Sequence, residues 1–112
     1  MNEPLSPEID VQSVKRLIDA GDEFLLLDCR EQAEHDVARI DAATLLPMSE
    51  LMVRVGELDP YKSSHVVVHC HHGGRSLQVA QWLQHQGFSR VQNMTGGIDA
   101  WSQAVDPSVP RY

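Results

Sequence analysis

The 112-residue sequence has little of what marks secreted, membrane or nucleic-acid-binding proteins. Cysteine occurs only at Cys29 and Cys70, which is too few for a disulfide framework and favours a reducing, cytoplasmic compartment. No apolar run approaches the roughly 18 residues that a membrane helix needs, and we expect no secretory signal, since the first residues lack its basic and apolar segments. The sequence contains nine basic and sixteen acidic residues, which gives a formal net charge of −7. Nucleic acids and anionic membranes are therefore not expected partners.

The length and composition are typical of one small globular domain. Hydrophobic residues make up 42% of the chain and charged residues 22%, both ordinary values for a globular protein, and a chain of this size buries enough surface for one core. We expect a single domain over residues 1–105. Residues 106–112 contain two prolines and are predicted to form a flexible C-terminal tail.

Short apolar runs alternate with amphipathic segments along the chain. Four runs are predicted to be strands: residues 24–28, 44–46, 65–69 and 91–94. Four stretches are predicted to be helices: residue 6 to a C-cap at Gly21, Ser49 through Leu58, Ser76 to Gln86, and the segment after Gly96 and Gly97. Strands separated by helices indicate an α/β protein with a parallel sheet covered on both faces. In such sheets ligands bind beyond the carboxyl ends of the strands.

The loop after the predicted strand at 65–69 combines residues that can activate a cysteine. In order they are Cys70, His71, His72, Gly73, Gly74, Arg75 and Ser76. A thiol attacks only as thiolate, and free cysteine, with a pKa of about 8.5, is mostly protonated at neutral pH. Backbone amides curled around the sulfur and the N-terminus of the following helix stabilise a thiolate, and two glycines permit such a curl. Arg75 can hold an anionic substrate through a bidentate contact. The loop therefore predicts a cradle for a nucleophilic Cys70 and an anion.

Two other interpretations of this loop are weaker. A buried cysteine beside an ordinary turn explains Cys70 alone, but not the glycines, the arginine and the helix start that follow it. A zinc site could draw on the histidines and cysteine of residues 69–72, but adjacent residues do not readily converge on one tetrahedral ion, and the sequence offers no second ligand cluster. We therefore expect no bound metal.

Three separated motifs, in order, resemble those of the rhodanese family of sulfurtransferases. The loop over residues 70–76 is similar to that family's active-site loop. Asp28-Cys29-Arg30-Glu31 with Glu34 is similar to an upstream Asp-x-Arg-x-x-x-Glu signature. Gly96-Gly97-Ile98 with Trp101 is similar to its C-terminal signature. The resemblance covers nearly the whole chain, from about residue 6 to residue 101.

The resemblance implies a three-layer α/β fold, with a central parallel sheet of about five strands and helices on both faces. It also implies a two-step reaction through a Cys70 persulfide. The Cys70 thiolate takes the outer sulfur of thiosulfate or a persulfide donor and passes it to a thiol, a sulfur-accepting protein or cyanide, while the loop amides hold the persulfide. No metal, organic cofactor, nucleic acid or membrane is implied, and a monomer is the default expectation.

Two other functions stay open beside sulfur transfer. Cysteine phosphatases and arsenate reductases also place an arginine after a loop cysteine, but their loop is one residue longer than the four residues between Cys70 and Arg75. The longer loop suits a tetrahedral oxyanion. A non-catalytic rhodanese-like module that binds a partner protein tends to lack the cysteine that is present here. Sulfur transfer is the favoured interpretation.

Two charged residues before the loop are assigned supporting roles. Asp28 ends a buried strand and needs a partner, and Arg30 can supply charge-assisted hydrogen bonds. We expect this pair to support the site structurally. Glu34 is expected either to join the pair or to lie on an exposed helix face.

The second cysteine and the loop histidines allow two roles each. Cys29 and Cys70 end strands that the family fold makes neighbours. Cys29 is predicted to be a buried core residue, with a resolving thiol that forms a disulfide as the alternative. One of His71 and His72 is expected to contribute modestly, by pairing with the thiolate or binding an acceptor, with exposure to solvent as the alternative.

One stretch departs from the family pattern. The family commonly has Gly-His-Ile-Pro-Gly-Ala before its second strand, and residues 38–43 here read Ala-Arg-Ile-Asp-Ala-Ala. This loop usually lies near the mouth of the active site, so donor and acceptor preferences cannot be carried over from the family. Arg39 is expected to be a solvated surface residue, with an added positive charge at the entrance as the alternative.

Overall fold

The computed structural model describes residues 5–112, in which strands and helices alternate. The strands are β1 (Glu8–Ile9), β2 (Leu25–Asp28), β3 (Thr44–Leu45), β4 (His65–His69) and β5 (Arg90–Met94). The helices are α1 (Val11–Ala20), α2 (Gln32–Val37), α3 (Leu51–Arg54), α4 (Gly74–His85) and α5 (Gly97–Ala104), with 3₁₀ helices at Met48–Glu50 and Val55–Tyr61. No helix within residues 5–112 is long and apolar enough to cross a membrane.

All five strands form one parallel sheet in the order β1–β5–β4–β2–β3. The central strand β4 is buried on both faces, since Val66, Val67 and Val68 are all 0% exposed. Each strand is followed by a helical connection, as parallel pairing requires, so the carboxyl ends of the strands meet at one edge. The predicted α/β fold with a five-stranded parallel sheet is confirmed.

The first helix begins later than the sequence pattern predicts. The prediction starts it at residue 6, but residues 8–9 form the edge strand β1 beside β5. Asp10 is the N-cap, since its carboxylate accepts a hydrogen bond from the Ser13 amide at 2.7 Å. A two-residue edge strand shows no hydrophobic alternation and leaves no sequence signal. The predicted C-cap at Gly21 is confirmed, with a left-handed φ of +69°.

The segment between β2 and β4 also differs from prediction. The sequence pattern did not predict α2, which begins with a capping box formed by Glu31 and Glu34. The single helix expected from Ser49 through Leu58 is instead α3 between two 3₁₀ helices, the second of which contains Pro60. Ser49 does not cap a helix, because its hydroxyl donates to the Glu31 carboxylate.

Hydrophobic side chains form a core on each face of the sheet. One core packs against α3 and α4 and includes Cys29 and Cys70, and the other packs against α1 and α5. Because side chains alternate along a strand, Asp28 and His69 lie on the α1/α5 face, side by side in the β2–β4 register. The two cysteines therefore face one core, whereas Asp28 and His69 face the other.

The segment after α5 makes specific contacts with the domain. Val109 is only 8% exposed and joins the core on the α1/α5 face. Arg111 pairs with Asp99 at 2.9 Å, and the Tyr112 hydroxyl accepts from Arg30 at 2.9 Å. The flexibility assigned to residues 106–112 stays a prediction.

Asp28 and Arg30 form an ion pair whose side chains are both 0% exposed. Arg30 donates from Nε and Nη2 to the two carboxylate oxygens at 2.9 and 2.7 Å, and from Nη2 to the Ala38 carbonyl at 2.7 Å. Burial raises the pKa of Asp28, but the hydrogen bonds from Arg30 outweigh burial and hold that pKa below its usual range. The pair thus links the end of β2 to the residue that follows α2.

Replacing Arg30 by alanine would leave the Asp28 carboxylate buried without its partner. We expect Arg30→Ala to lower the free energy of unfolding by about 3–5 kcal/mol at neutral pH, measured by urea denaturation. Arg54→Ala is the matched control, because Arg54 pairs with Glu50 and Glu57 at the surface, and we expect a much smaller loss. Similar losses of unfolding free energy in the two variants would show that the buried ion pair contributes no more to stability than a surface pair.

Candidate active site

Cys70 follows β4 at the carboxyl edge of the sheet, and several donors converge on its sulfur. Its Sγ accepts the Gly73 amide at 3.1 Å and the Ser76 amide at 3.4 Å, and it lies 3.3 Å from the Ser76 hydroxyl. Cys70 is 1% exposed, whereas Gly74, the first residue of α4, is exposed. The loop therefore surrounds the sulfur with backbone and side-chain donors.

The loop takes this shape because α5 holds its carbonyl groups. The Ile98 amide donates to the Cys70 carbonyl at 2.9 Å, and the Asp99 amide donates to the His71 carbonyl at 3.1 Å. Both donors belong to the first turn of α5, where amides have no acceptor within the helix. Because a trans peptide points its carbonyl and its amide in opposite directions, this contact turns the His71 and His72 amides, which share those two peptide planes, away from α5. Gly97 permits the approach, since a Cβ there would lie 2.5 Å from both carbonyl oxygens.

Asn93, at the end of β5, braces the loop from behind. Its side-chain amide donates to the Gly73 carbonyl at 3.2 Å and to the Glu8 carboxylate at 3.1 Å, while its oxygen accepts the Ser76 hydroxyl. Thr95 also donates to Glu8, at 2.8 Å. The role of Asn93 was not predicted from the sequence. Its only signal was a polar side chain at the carboxyl end of a predicted strand, the edge where function was expected.

The hydrogen bonds at the sulfur make Cys70 more acidic than a free cysteine. Burial raises the pKa of the Cys70 thiol, but the hydrogen bonds from Ser76 and from the loop amides outweigh burial, and the pKa is lowered. A larger fraction of the thiol is therefore thiolate at neutral pH, the form that attacks.

Cys29 lies on the same face of the sheet but has the opposite character. It is 0% exposed, both cysteines are free, and its Sγ contacts the His69 carbonyl at 3.5 Å. Burial, reinforced by the charges of Cys70 and Asp28, raises the pKa of Cys29 to about 12. A thiol that stays protonated is a poor nucleophile, which favours the predicted core role of Cys29 over a resolving role.

Arg75, which was expected to hold a substrate anion, is paired within the chain. Its Nη1 and Nη2 donate to the two carboxylate oxygens of Glu34 at 2.6 and 2.8 Å. The Tyr112 hydroxyl also donates to Glu34, at 2.9 Å. The hydrogen bond from Arg75 lowers the pKa of Glu34 to about 2. Glu34 was expected to join the Asp28–Arg30 pair or to lie on an exposed helix face, and nothing in the sequence links it to Arg75, 41 residues away.

The side chains of the two loop histidines contact aromatic rings, and His72 also lies near a carboxylate. The His71 ring stacks on Tyr112, with centroids 3.9 Å apart and planes 7° apart, and it contacts the His72 ring at 3.9 Å. The His72 side chain is 67% exposed, and its Nδ1 lies 3.9 Å from Asp99. Within residues 5–112, neither imidazole hydrogen-bonds to the Cys70 sulfur. A role for either histidine toward an acceptor stays a prediction.

Arg39 lies away from this loop. It lines a surface cavity together with Lys15, Trp101 and the C-terminal segment. Its side chain is 57% exposed and lies 3.6 Å from Asp41. The cavity belongs to the α1/α5 side of the sheet, whereas Cys70 faces α3 and α4. Arg39 is therefore a surface residue, and it adds no charge at Cys70.

This arrangement of strands, loop and cysteine matches a known domain over most of the chain. The profile of the rhodanese-like domain matches residues 10–104. The chain belongs to the rhodanese-like domain family. Its relatives are named sulfurtransferases and rhodanese-like domain proteins.

Three similar proteins illustrate the relationship. A sulfurtransferase of Allochromatium vinosum is 38% identical over 102 residues, which cover 91% of this chain and 94% of that protein. The chloroplastic rhodanese-like/PpiC domain-containing protein 12 of Arabidopsis thaliana is 43% identical over 95 residues, covering 81% of this chain but only 31% of that protein. The crystal structure of thiosulfate sulfurtransferase from Pseudomonas aeruginosa gives a TM-score of 0.78 at 31% identity, over 88% of this chain and 19% of that chain.

A side chain at Gly97 would push α5 away from the loop of this rhodanese-like domain. We expect Gly97→Ala to slow alkylation of Cys70 by iodoacetamide and to lower the free energy of unfolding by about 1–3 kcal/mol more than Gly21→Ala does. Gly21 is the matched control, because its φ of +69° is similar to the +61° of Gly97 but nothing lies within 4 Å of an added Cβ. Equal effects in the two variants would mean that the approach of α5 is not required.

The Ser76 hydroxyl has one hydrogen, which it can donate either to Asn93 or to Cys70 Sγ, 3.3 Å away. We predict that this hydrogen turns to the sulfur when Cys70 is a thiolate and stabilises that thiolate. In wild-type protein the alkylation rate should rise with pH through a midpoint below that of free cysteine, and Ser76→Ala should shift the midpoint upward and slow the reaction about tenfold at neutral pH. Cys29, with its pKa of about 12, does not contribute near neutral pH. Ser102→Ala is the control, since Ser102 is a buried serine whose hydroxyl has no partner within residues 5–112. An unshifted midpoint in Ser76→Ala would contradict the assignment.

Proposed function

We propose that this protein is a rhodanese-type sulfurtransferase in which Cys70 carries the transferred sulfur. The observation that carries the proposal is the convergence of the Gly73 and Ser76 donors on a buried thiol of lowered pKa. Relatives named sulfurtransferases support the reaction class. Thiosulfate and persulfides are the donor classes considered, and a cytoplasmic location and a monomeric state stay predictions.

In the first half-reaction the Cys70 thiolate attacks the outer sulfur of the donor. A new S–S bond forms at Cys70 while the S–S bond within the donor breaks, and its electron pair leaves with the remainder. Thiosulfate would release sulfite, and a persulfide R–S–SH would release the thiolate R–S⁻. No external oxidant or reductant is needed, because the sulfane sulfur keeps its oxidation state.

The loop has further donors for the sulfur that is added. Cys70 Sγ already accepts the Gly73 and Ser76 amides. Within the part of the chain that the structure describes, the Gly74 and Arg75 amides at the start of α4 donate to no acceptor. Amides in the first turn of a helix favour an anion both as donors and through the helix dipole. They are the groups that we assign to the outer sulfur of a Cys70 persulfide.

In the second half-reaction an acceptor thiolate attacks that outer sulfur, and Cys70 leaves as thiolate. The acceptor gains the sulfane sulfur, and the electron pair of the cleaved S–S bond returns to Cys70. Cyanide would react in the same way and form thiocyanate. A small thiol or a sulfur-accepting protein fits this chemistry, and His71 and His72 at the side of the loop are candidate contacts for it.

The geometry gives less support to the alternatives. A cysteine phosphatase uses its loop arginine to bind the phosphate oxyanion, whereas Arg75 here is engaged by Glu34 at 2.6 Å. A non-catalytic binding module has no need of a thiol whose pKa is lowered by converging donors, as that of Cys70 is. Sulfur transfer uses both the lowered pKa and the spare amides.

Sulfur loading tests the proposal directly. Reduced protein is incubated separately with thiosulfate and with cysteine persulfide, desalted, and analysed by intact mass and peptide mapping. We expect a gain of one sulfur atom on the Cys70 peptide, lost again on addition of cyanide or a thiol. Loading from neither donor would refute the proposal.

The two cysteines provide a matched pair of variants for this experiment. Cys70→Ser should abolish loading, because the nucleophile is removed, while Cys29→Ser should still load at Cys70. Equal loading of the Cys70→Ser variant would place the reaction elsewhere. A Cys29–Cys70 disulfide in place of a persulfide would instead support the resolving role for Cys29.

A further inference from the structure

The guanidinium of the active-site loop arginine is already paired with a carboxylate, so its charge is not free to bind a substrate. Arg75 is the only lysine or arginine in residues 70–76, and both terminal nitrogens of its guanidinium donate to Glu34, at 2.6 and 2.8 Å. The Glu34 side chain is only 23% exposed and also accepts the Tyr112 hydroxyl. A bidentate pair of this kind, fixed by a third group, is not readily opened by an incoming anion.

The other arginines that contact this region are also paired. Arg30 is 0% exposed and bound to Asp28 at 2.7 Å, so it cannot touch a donor. Arg111 is bound to Asp99 at 2.9 Å. The groups that contact Cys70 Sγ are the amides of Gly73 and Ser76 and the Ser76 hydroxyl, which carry partial charges only.

This electrostatic arrangement separates the two donor classes. Thiosulfate carries two negative charges toward a thiolate that already carries one, and its leaving group, sulfite, is also a dianion. A persulfide brings at most one charge at its reacting sulfur and leaves as a thiolate. Amides can stabilise one charge on Cys70, but a dianion needs a full positive charge nearby to offset repulsion in a poorly hydrated site.

We propose that the preferred donor is a persulfide rather than thiosulfate, and that Glu34 sets this preference by neutralising Arg75. The inference rests on the proposed function, since it concerns the first half-reaction at Cys70. The step is R–S–SH plus Cys70 thiolate giving the Cys70–S–S⁻ anion and R–SH, with the proton of the donor's outer sulfur passing to the departing R–S⁻.

The test compares, between wild type and variant, the ratio of the rate constants for loading by the two donors. Both rate constants in a ratio are measured on the same protein. Second-order constants for loading of Cys70 are obtained by rapid quench and intact mass, with thiosulfate and with cysteine persulfide. Glu34→Gln removes the charge that neutralises Arg75 and keeps an acceptor of similar shape. We expect the thiosulfate-to-persulfide ratio to rise about tenfold or more. General damage to the loop slows both donors and cancels in the ratio.

Two further variants and a salt series test whether the charge of Arg75 causes the change in the donor ratio. Asp36→Asn removes a carboxylate from the same helix, where Asp36 accepts from Gln32 rather than from Arg75, and it should leave the ratio unchanged. Adding Arg75→Gln to Glu34→Gln should return the ratio to that of wild type. Thiosulfate loading of Glu34→Gln should also fall with ionic strength more steeply than in wild type.

The outcomes separate this inference from the proposed function. An unchanged ratio in Glu34→Gln, or an equal rise in Asp36→Asn, would overturn the role of Glu34. Wild-type loading that is faster from thiosulfate than from cysteine persulfide would overturn the donor preference while upholding sulfur transfer. Absence of loading from both donors would overturn the proposed function itself.

Discussion

The contact between α5 and the loop carbonyls is the constraint on which the site depends. Ile98 and Asp99 bind the carbonyls of Cys70 and His71, so these carbonyls are held by α5 while the donors of Gly73 and Ser76 meet the sulfur. The contact joins the connection after β4 to the helix after β5. The sheet fixes where both begin, because β4 and β5 are hydrogen-bonded neighbours. A close approach that only glycine allows at position 97 therefore governs the acidity of a thiol on another element.

The opposite side of the loop is held by charges rather than by amides. Five side chains form a continuous series of hydrogen bonds: Asp28, Arg30, Tyr112, Glu34 and Arg75. Opposite charges alternate in this series, so it connects β2, α2, α4 and the C-terminal segment without accumulating charge. Its four charged members are buried or half-buried, where unpaired charges would be costly. The series therefore supports the loop while placing no free positive charge beside Cys70.

The sequence predicts the fold and the reacting atom better than it predicts the surroundings of that atom. Strands such as β4 are visible because their buried side chains are continuous, and the loop is visible because cysteine, glycines and arginine are adjacent in the chain. Asn93, Tyr112 and the Arg75–Glu34 pair act on the loop from 17 to 41 residues away. Such contacts depend on strand order and on α2, whose short capping-box helix has no buried residue and hence no hydrophobic period to detect.

The amide cradle suits the proposed reaction because the charge at Cys70 is the same in both resting forms. A thiolate and a persulfide anion each carry one negative charge, and they differ by the position of the terminal sulfur, about 2 Å apart. The Gly73 and Ser76 donors meet the inner sulfur, and the free amides at the start of α4 lie next along the chain. Donors fixed by the fold then serve both forms without rearranging, which is the advantage of preorganised dipoles. A mobile arginine would stabilise the same anions, but it would also bind dianions and would have to be released at each half-reaction.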